Sequence, residues 1–267
     1  MNGLLTLTIE AVLDAVRRRL ALAVAVVCLL SIMMLDNCTG ALPTTMTMNG
    51  EEVDIGDHIA GTTGVITFVV LSLWMVVLAG VLATDQLRET LEDGSATLAL
   101  ARPVSRLTFA LARLGGVLAV SWGATALLLG SATFFLATRH EVPTPPGVLG
   151  AFACALGGLT VAAWSMTASL YLPRTATTLM VFAAVALIVI ANLIGTVTEA
   201  ASYLGALDRF GPPLASTVIV AMQSWLPDQL AEQMRIGSTE TWARLALWAA
   251  GGLAALAAAI RRIEIGR

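Results

Sequence analysis

The sequence predicts an all-α integral membrane protein with six transmembrane helices. It also predicts an amphipathic N-terminal helix at the membrane interface and a cytoplasmic helical segment between the second and third spans. Composition supports this class: of the 267 residues, 57% are hydrophobic and only 12% are charged, whereas a soluble domain carries about 25% charged residues. The mean hydropathy is +0.84. So little charge cannot cover the surface of a water-soluble domain of this length.

Six apolar segments give the predicted spans. A helix that crosses the bilayer core needs about 20 mainly apolar residues, and six segments reach or approach that length. They are 20–35, 61–83, 114–138, 148–172, 176–197 and 241–260. Together they make residues 1–267 a single membrane domain. The pairs Gly115-Gly116, Gly157-Gly158 and Gly251-Gly252 predict places where two helices approach closely, because small residues allow backbones to come together in a membrane.

Residues 1–19 predict an amphipathic helix that lies in the membrane interface before the first span. Apolar residues recur there at helical spacing, namely Leu5, Ile9, Val12, Leu13 and Val16, while Glu10 and Asp14 fall largely off that face. A cleaved signal peptide is the alternative. The acidic residues, the length of the region before the apolar run and the lack of an A-x-A site after that run argue against cleavage.

The arginines predict the orientation. If the N-terminus is cytoplasmic, eleven arginines fall on the inner side, namely Arg17, Arg18, Arg19, Arg88, Arg102, Arg106, Arg113, Arg174, Arg261, Arg262 and Arg267. Only four fall on the outer side, namely Arg139, Arg209, Arg235 and Arg244. This bias fits the positive-inside rule, and six spans return the C-terminus to the cytoplasm.

Two outer segments are longer than a connection requires. Segment 36–60 is acidic. Segment 198–240 contains an apolar stretch, 214–225, that is too short to span the bilayer. Because Gly211-Pro212-Pro213 and Pro227 flank this stretch, it predicts a re-entrant or interfacial helix on the outer side.

The sequence carries few signs of catalysis or of a bound cofactor. It contains neither a GxxxxGK[ST] phosphate-binding loop nor an HExxH zinc motif, so we expect no enzymatic activity and no nucleic-acid partner. One metal hypothesis concerns Cys38, Met46 and Met48, because soft sulfur ligands favour Cu(I) and alternate residues of a strand share a face. Packing of the two methionines against the neighbouring loop is the alternative interpretation.

The segment 84–113 between the second and third spans is longer than a simple connector. Its first part, TDQLRETL, is helical in composition, and Thr84 or Asp85 could cap a helix that starts there. Glu92, Asp93 and Gly94 end this helix at a residue that tolerates positive φ. A second short helix, SATLALA, ends at Arg102-Pro103, since a residue before proline disfavours the α region.

The stretch ATDQLRETLEDGSATLALARPVSR resembles the cytoplasmic loop of type-2 ABC exporter permeases, including the permease of nitrous-oxide-reductase maturation systems. These permeases have an acidic helix, then Gly-Thr or a similar pair, then a leucine-rich piece ending in R-P-[VL]-S-R. Here Gly94-Ser95 replaces the more usual Gly-Thr, and residues 102–106 match the final motif fully. The layout of the whole chain is also similar to that family.

The resemblance implies that 84–113 is a coupling helix seated in a groove of a separate ATP-hydrolysing subunit, which holds the ATP and Mg. It implies two ATPase copies, a second permease copy and insertion into the bacterial cytoplasmic membrane. The residues expected to make this contact are Asp85, Arg88, Glu89, Glu92, Asp93, Gly94, Arg102, Pro103 and Arg106, with Arg174 in a second, smaller contact.

Two functions remain open at this point. One is export of an unidentified substrate, such as an amphiphile, a lipid-linked molecule or a peptide. The other is mechanical: the same assembly would reshape a periplasmic protein docked on the outer segments 36–60 and 198–240, without moving cargo. An intramembrane enzyme is disfavoured because no acid–base or metal constellation lies within the spans.

Overall fold

The computed structural model describes residues 6, 8–10, 12, 13, 26, 30, 33, 45–48, 51–54, 56–92, 105–197, 210–226 and 238–262. Two strands come first, β1 (Thr45–Met48) and β2 (Glu51–Asp54). The helices are α1 (Gly56–Glu92), α2 (Arg106–His140), α3 (Thr144–Ser169), α4 (Arg174–Val197), α5 (Leu214–Ala221) and α6 (Ser238–Arg262), with a 3-10 turn at Gln223–Trp225 after α5.

Within this described part of the chain, five helices are long and apolar enough to cross a membrane. The candidate spans are Gly61–Thr84, Arg106–Arg139, Thr144–Ser169, Arg174–Ala191 and Thr239–Arg262. They overlap the predicted second to sixth spans, although the third begins at Arg106 and not at 114, so the last eight residues of the predicted loop 84–113 belong to α2. The chain is therefore a multi-pass membrane protein with a helical body. The predicted first span and the interfacial helix 1–19 lie mostly outside the described residues. Within the predicted first span, the described residues are 26, 30 and 33, and all three are helical.

The five long helices alternate in direction along the chain. The residues 141–143 join α2 to α3, and 170–173 join α3 to α4. We call the end of the bundle at which α1 ends and α2 begins the inner end, and the opposite end the outer end. Helix α3 lies at the centre, since it packs against α1, α2, α4, α5 and α6.

Small residues bring the helices together. An added Cβ at Gly252 of α6 would lie 3.0 Å from both Ala163 Cβ and Trp164 Cδ1 of α3, and one at Gly158 would lie 3.5 Å from Ala79 Cβ of α1. A Cβ at Gly115 of α2 would lie 3.5 Å from Thr8 Cγ2, and residue 8 is helical. Each of the three predicted glycine pairs therefore includes a residue at a close helix approach. Close packing of this kind replaces the hydrophobic driving force, which lipid does not supply between helices.

The buried side chains form two clusters, one at each end of the bundle. The outer cluster includes Phe68, Leu128, Leu136, Val218 and Met222 and draws on all six helices, with Leu245 as the buried member from α6. The inner cluster draws on α1, α2, α3 and α6, and its members are Ala79, Leu82, Ala83, Phe109, Ala110, Ala112, Leu114, Val117, Ala162, Met166, Leu256 and Ile260.

Helix α5 is short and buried among the long helices. Its first residue, Leu214, packs against Gly157, which lies halfway along α3. A Cβ added at Gly157 would lie 3.2 Å from Leu214 Cδ2. The following 3-10 turn reaches the outer end, where Trp225 Nε1 donates a hydrogen bond to the Pro143 carbonyl at 2.9 Å. Eight residues of helix extend about 12 Å, so α5 reaches from the middle of α3 to the outer end without crossing the bundle.

A two-stranded antiparallel hairpin precedes α1. Thr45 pairs with Asp54 and Met48 pairs with Glu51, so two residues, Asn49-Gly50, separate the strands. This hairpin was not predicted, although Asn-Gly between two strand-like stretches is a strong signal for one. Only Ile55 separates β2 from the first residue of α1.

Candidate functional site

The candidate site is the inner end of α1 and α2, where the segment 84–113 leaves and rejoins the bundle. The predicted helix start at Thr84 or Asp85 is wrong, because α1 runs without interruption from Gly56 to Glu92. Thr84 is fully buried, and its hydroxyl donates to the Val81 carbonyl of the same helix at 2.7 Å. A threonine that bonds back into its own helix cannot act as an N-cap.

A buried polar pair joins the two ends of this segment. Arg113 Nη1 on α2 donates a hydrogen bond to Gln86 Oε1 on α1 at 3.3 Å. The side chains are 8% and 4% exposed, respectively. A hydrogen bond to a charged group contributes about 1.5–3 kcal/mol, and loss of the partner would leave a buried charge with fewer acceptors. This contact therefore fixes α1 and α2 relative to each other where the segment begins and ends.

Phe109 extends this pair into the apolar core. The Arg113 guanidinium lies over the Phe109 ring at 5.5 Å from its centroid, an arrangement that stabilises a cation by about 0.5–2 kcal/mol. Phe109 is buried in the inner cluster, which also contains Met166 of α3 and Leu256 of α6. A displacement of the α2 start would therefore act on α3 and α6 through direct packing.

The start of α2 has a defined N-cap. Ser105 has an extended backbone conformation, and its hydroxyl oxygen accepts a hydrogen bond from the Thr108 amide at 3.1 Å. Ser105 is the serine of the R-P-V-S-R motif, and Arg106 is the first residue of the helix. The motif therefore ends at the point where α2 begins, and its serine satisfies one of the free amides of the first turn.

Four of the predicted contact residues lie on the part of α1 beyond its candidate span. Asp85, Arg88, Glu89 and Glu92 have the spacing i, i+3, i+4 and i+7, so they share one side of the helix. At 3.6 residues per turn this side is about 100° around the helix from Gln86, which faces the bundle. The remaining predicted residues of the loop, Asp93, Gly94, Arg102 and Pro103, lie outside the described residues.

Exposed arginines surround the site at the inner end. Arg106 begins α2, Arg174 begins α4, and Arg261 and Arg262 end α6, and all four are exposed. At the outer end, the described arginines are Arg139 and Arg244, and Arg244 Nη2 donates to the Gly211 carbonyl at 3.0 Å. Among the described residues, the inner end of the bundle therefore carries more arginines than the outer end.

The copper hypothesis stays a prediction. Met46 and Met48 lie on β1, and Cys38 lies outside the described residues. Among the residues that the structure describes, no group of three or more His, Cys, Asp or Glu side chains is placed to hold a metal ion.

Comparison with known proteins identifies no family for this chain. No protein-family model matches the sequence, and no curated protein matches it. The residues of the site are therefore the basis for a functional proposal. Gln86, Phe109 and the capping role of Ser105 were not among the predicted site residues. Only Ser105 had a readable signal, as a serine just before an apolar helical run.

Proposed function

We propose that this chain is the transmembrane permease subunit of an ABC transporter, which couples ATP hydrolysis by a separate subunit to export of a substrate. One observation carries the proposal. Helix α1 contains a candidate span, Gly61–Thr84, and continues in the same helix through Glu92. The sequence that follows closes with R-P-V-S-R directly before α2, as in the coupling loop of type-2 ABC exporter permeases.

A continuous helix is suited to transmitting force. The 37 residues of α1 correspond to about 55 Å of helix, and the eight residues beyond the span to about 12 Å. No flexible joint separates the span from the stripe formed by Asp85, Arg88, Glu89 and Glu92. An ATPase subunit bound to this stripe would therefore move the span itself.

The Gln86–Arg113 hydrogen bond supports the same role. It ties the extension of α1 to the start of α2, so the two helices would respond to an ATPase subunit together. The inner cluster then connects both to α3 and α6. In this proposal the polar stripe makes the contact, while the buried pair distributes the motion.

The assembly follows from the role. Two ATPase subunits would bind two copies of this chain, and ATP and Mg would be held by the ATPase subunits. The protein would lie in the bacterial cytoplasmic membrane with both termini in the cytoplasm, because the arginine-rich inner end then faces the cytoplasm. Arg106 and Arg174, both exposed at that end, would add basic contacts to the ATPase.

Affinity purification from native membranes in mild detergent tests this proposal. Wild-type protein should bring down a protein with a phosphate-binding loop, identified by mass spectrometry, and the double variant Glu92→Arg/Arg102→Glu should lose it. The matched control is Arg139→Glu/Glu240→Arg, which changes two exposed charges at the outer end and should retain the partner. Equal recovery with both double variants would contradict a contact at the loop.

A second candidate function is mechanical work on a periplasmic protein without transport of cargo. The hairpin favours it, because only Ile55 separates β2 from α1 and α1 continues to the inner loop. One helix would therefore link a docking element at the outer end to the ATPase at the inner end. A hairpin also offers free strand edges, which partners use for strand addition.

Replacing residues 45–54 with a Gly/Ser linker of equal length distinguishes the two functions, because such a linker removes the strands and keeps the start of α1. If the function is mechanical, a periplasmic protein should co-purify with wild type and be lost with the linker variant, while the ATPase remains. If the function is export, ATP hydrolysis by the complex in liposomes should rise with a candidate lipid or peptide, and the linker variant should respond equally.

A further inference from the structure

A groove of about 210 Å³ opens between α3, α4 and α6. Its walls include Val161 and Ala168 of α3, Ala184 and Ile188 of α4, and Trp248 of α6. The residue Pro212, which precedes α5, closes it toward the middle of the bundle. Trp164 and Met180 at its rim are 40% and 55% exposed, so the groove faces the space around the helices rather than the interior.

The walls present almost no hydrogen-bonding groups to an occupant. Trp164 Nε1 donates to the Trp248 carbonyl at 3.2 Å, and Trp248 Nε1 donates to the Phe210 carbonyl at 3.1 Å. The hydroxyls of Thr160 and Thr177 donate to carbonyls of Leu156 and Pro173, each four residues earlier in the chain. One further hydroxyl lines the groove, that of Ser165, whose side chain is 4% exposed. Because the other four donors are engaged and Ser165 is buried, the groove offers mainly hydrocarbon and aromatic surface and suits an apolar occupant.

The groove has the length of one lipid leaflet. Along α4 its walls run from Thr177 to Ile188, a stretch of twelve residues in which the first and last lie about 16 Å apart along the helix axis. The hydrocarbon core of a bilayer is about 30 Å thick, so the groove covers about half of it. An α-helix with its side chains is about 10–12 Å across, which is too wide for a groove of about 210 Å³ that extends over this length. A single hydrocarbon chain can fit.

A charged residue marks the inner end of the groove. Arg174 begins α4, three residues before Thr177, and is exposed. Tyr171, in the preceding connection, is 65% exposed, and tyrosine is enriched at the headgroup level of membranes. A lipid with one chain in the groove would therefore place its headgroup beside a cation, which favours an anionic headgroup.

We infer that this groove is a binding site for an anionic phospholipid of the inner leaflet, with one acyl chain along α4 and its headgroup phosphate at Arg174. The inference does not depend on the proposed transport function, because it rests on the apolar walls, the leaflet length and the position of Arg174. If Arg174 contacts a lipid, its contribution to an ATPase contact is reduced, and the loop 84–113 remains the main contact.

Native mass spectrometry of the detergent-purified protein tests the site, with phosphatidylglycerol and phosphatidylcholine titrated separately. Wild type should bind one phosphatidylglycerol per chain at least tenfold more tightly than phosphatidylcholine. Ala184→Trp fills the groove and should weaken phosphatidylglycerol binding at least tenfold. Arg174→Gln should remove the preference for phosphatidylglycerol and keep weak binding of both lipids.

Matched controls place the same changes outside the groove. Leu127→Trp adds the same ring on the outer surface of α2, where Leu127 is 71% exposed. This variant should bind phosphatidylglycerol as tightly as wild type. Arg106→Gln removes a different exposed arginine at the inner end and should keep the preference. If a folded Ala184→Trp variant binds phosphatidylglycerol as tightly as wild type, the groove is not the binding site. If Arg174→Gln still prefers phosphatidylglycerol over phosphatidylcholine, Arg174 does not hold the headgroup. The second result decides the headgroup assignment even if Ala184→Trp fails to fold.

Discussion

Arg113 on α2 donates a hydrogen bond to the Gln86 side chain on α1 at 3.3 Å, across 27 residues of sequence. The two residues lie at opposite ends of the segment 84–113 and are both buried. Their contact therefore sets how the segment is attached to the bundle. The same two helices, α1 and α2, contribute residues to the inner cluster.

Replacement of Gln86 tests how much the pair contributes to stability. Gln86→Leu removes the acceptor from a buried guanidinium, so the free energy of unfolding should fall by about 1.5–3 kcal/mol. Gln86→Glu keeps an acceptor and should restore most of the loss. Unfolding in mixed micelles, followed by circular dichroism, measures both.

The control for this pair is Leu111→Ala on the exposed side of α2. Its effect should stay near 0.5 kcal/mol, as for surface substitutions away from special features. A Gln86→Leu variant as stable as Leu111→Ala would show that the pair contributes little.

The N-cap of α2 gives a second prediction. Ser105→Ala removes the acceptor for the Thr108 amide and should cost about 0.5–2 kcal/mol. Hydrogen exchange should accelerate at the amides of the first turn of α2. Ser105→Asp preserves a capping oxygen and should exchange like wild type. If Ser105→Ala leaves exchange in this turn unchanged, the cap does not stabilise the start of α2.

Gly61 gives a third prediction, at the outer end. A Cβ at this position would lie 2.2 Å from the Trp225 carbonyl oxygen, which is backbone and cannot yield easily. Gly61→Ala should therefore lower the free energy of unfolding by about 1–3 kcal/mol, the usual cost of overpacking. Trp225 fluorescence should shift as its packing on Phe68, in an edge-to-face contact at 5.4 Å, is disturbed.

The matched control is Gly130→Ala on α2, where an added Cβ meets no atom within 4 Å. This change should be neutral or stabilising by up to about 1 kcal/mol, because alanine is a better helix former than glycine. Equal stability of the two alanine variants would contradict the close approach at Gly61.

The spans were readable from the sequence because lipid imposes a simple rule. A helix must be long and apolar over the width of the bilayer core, and runs such as 61–83 satisfy this rule without reference to the rest of the fold. The glycine pairs were readable for a related reason, since close packing in lipid selects small residues. Neither signal depends on which helices are neighbours.

The inner end was less predictable because its structure depends on tertiary contacts. Thr84 and Asp85 are good capping residues, and local sequence alone favours a helix start there. Burial of Thr84 and the hydrogen bond that Gln86 accepts from Arg113 favour continuation of α1 instead. Arg113 was predicted only as one more inner arginine, because its partner lies on another helix. The hairpin, by contrast, has a local signal in Asn49-Gly50, because this dipeptide favours a tight turn between two strands.

The most direct test of the proposed function is photo-crosslinking in living cells. A photoreactive phenylalanine analogue is placed at Glu92, at the end of α1, and in a separate variant at Glu240, an exposed acidic residue at the start of α6. If the loop binds an ATPase subunit, position 92 should cross-link to a protein with a phosphate-binding loop and position 240 should not. Absence of this cross-link from position 92, in protein that is inserted and folded, would contradict the proposed coupling role.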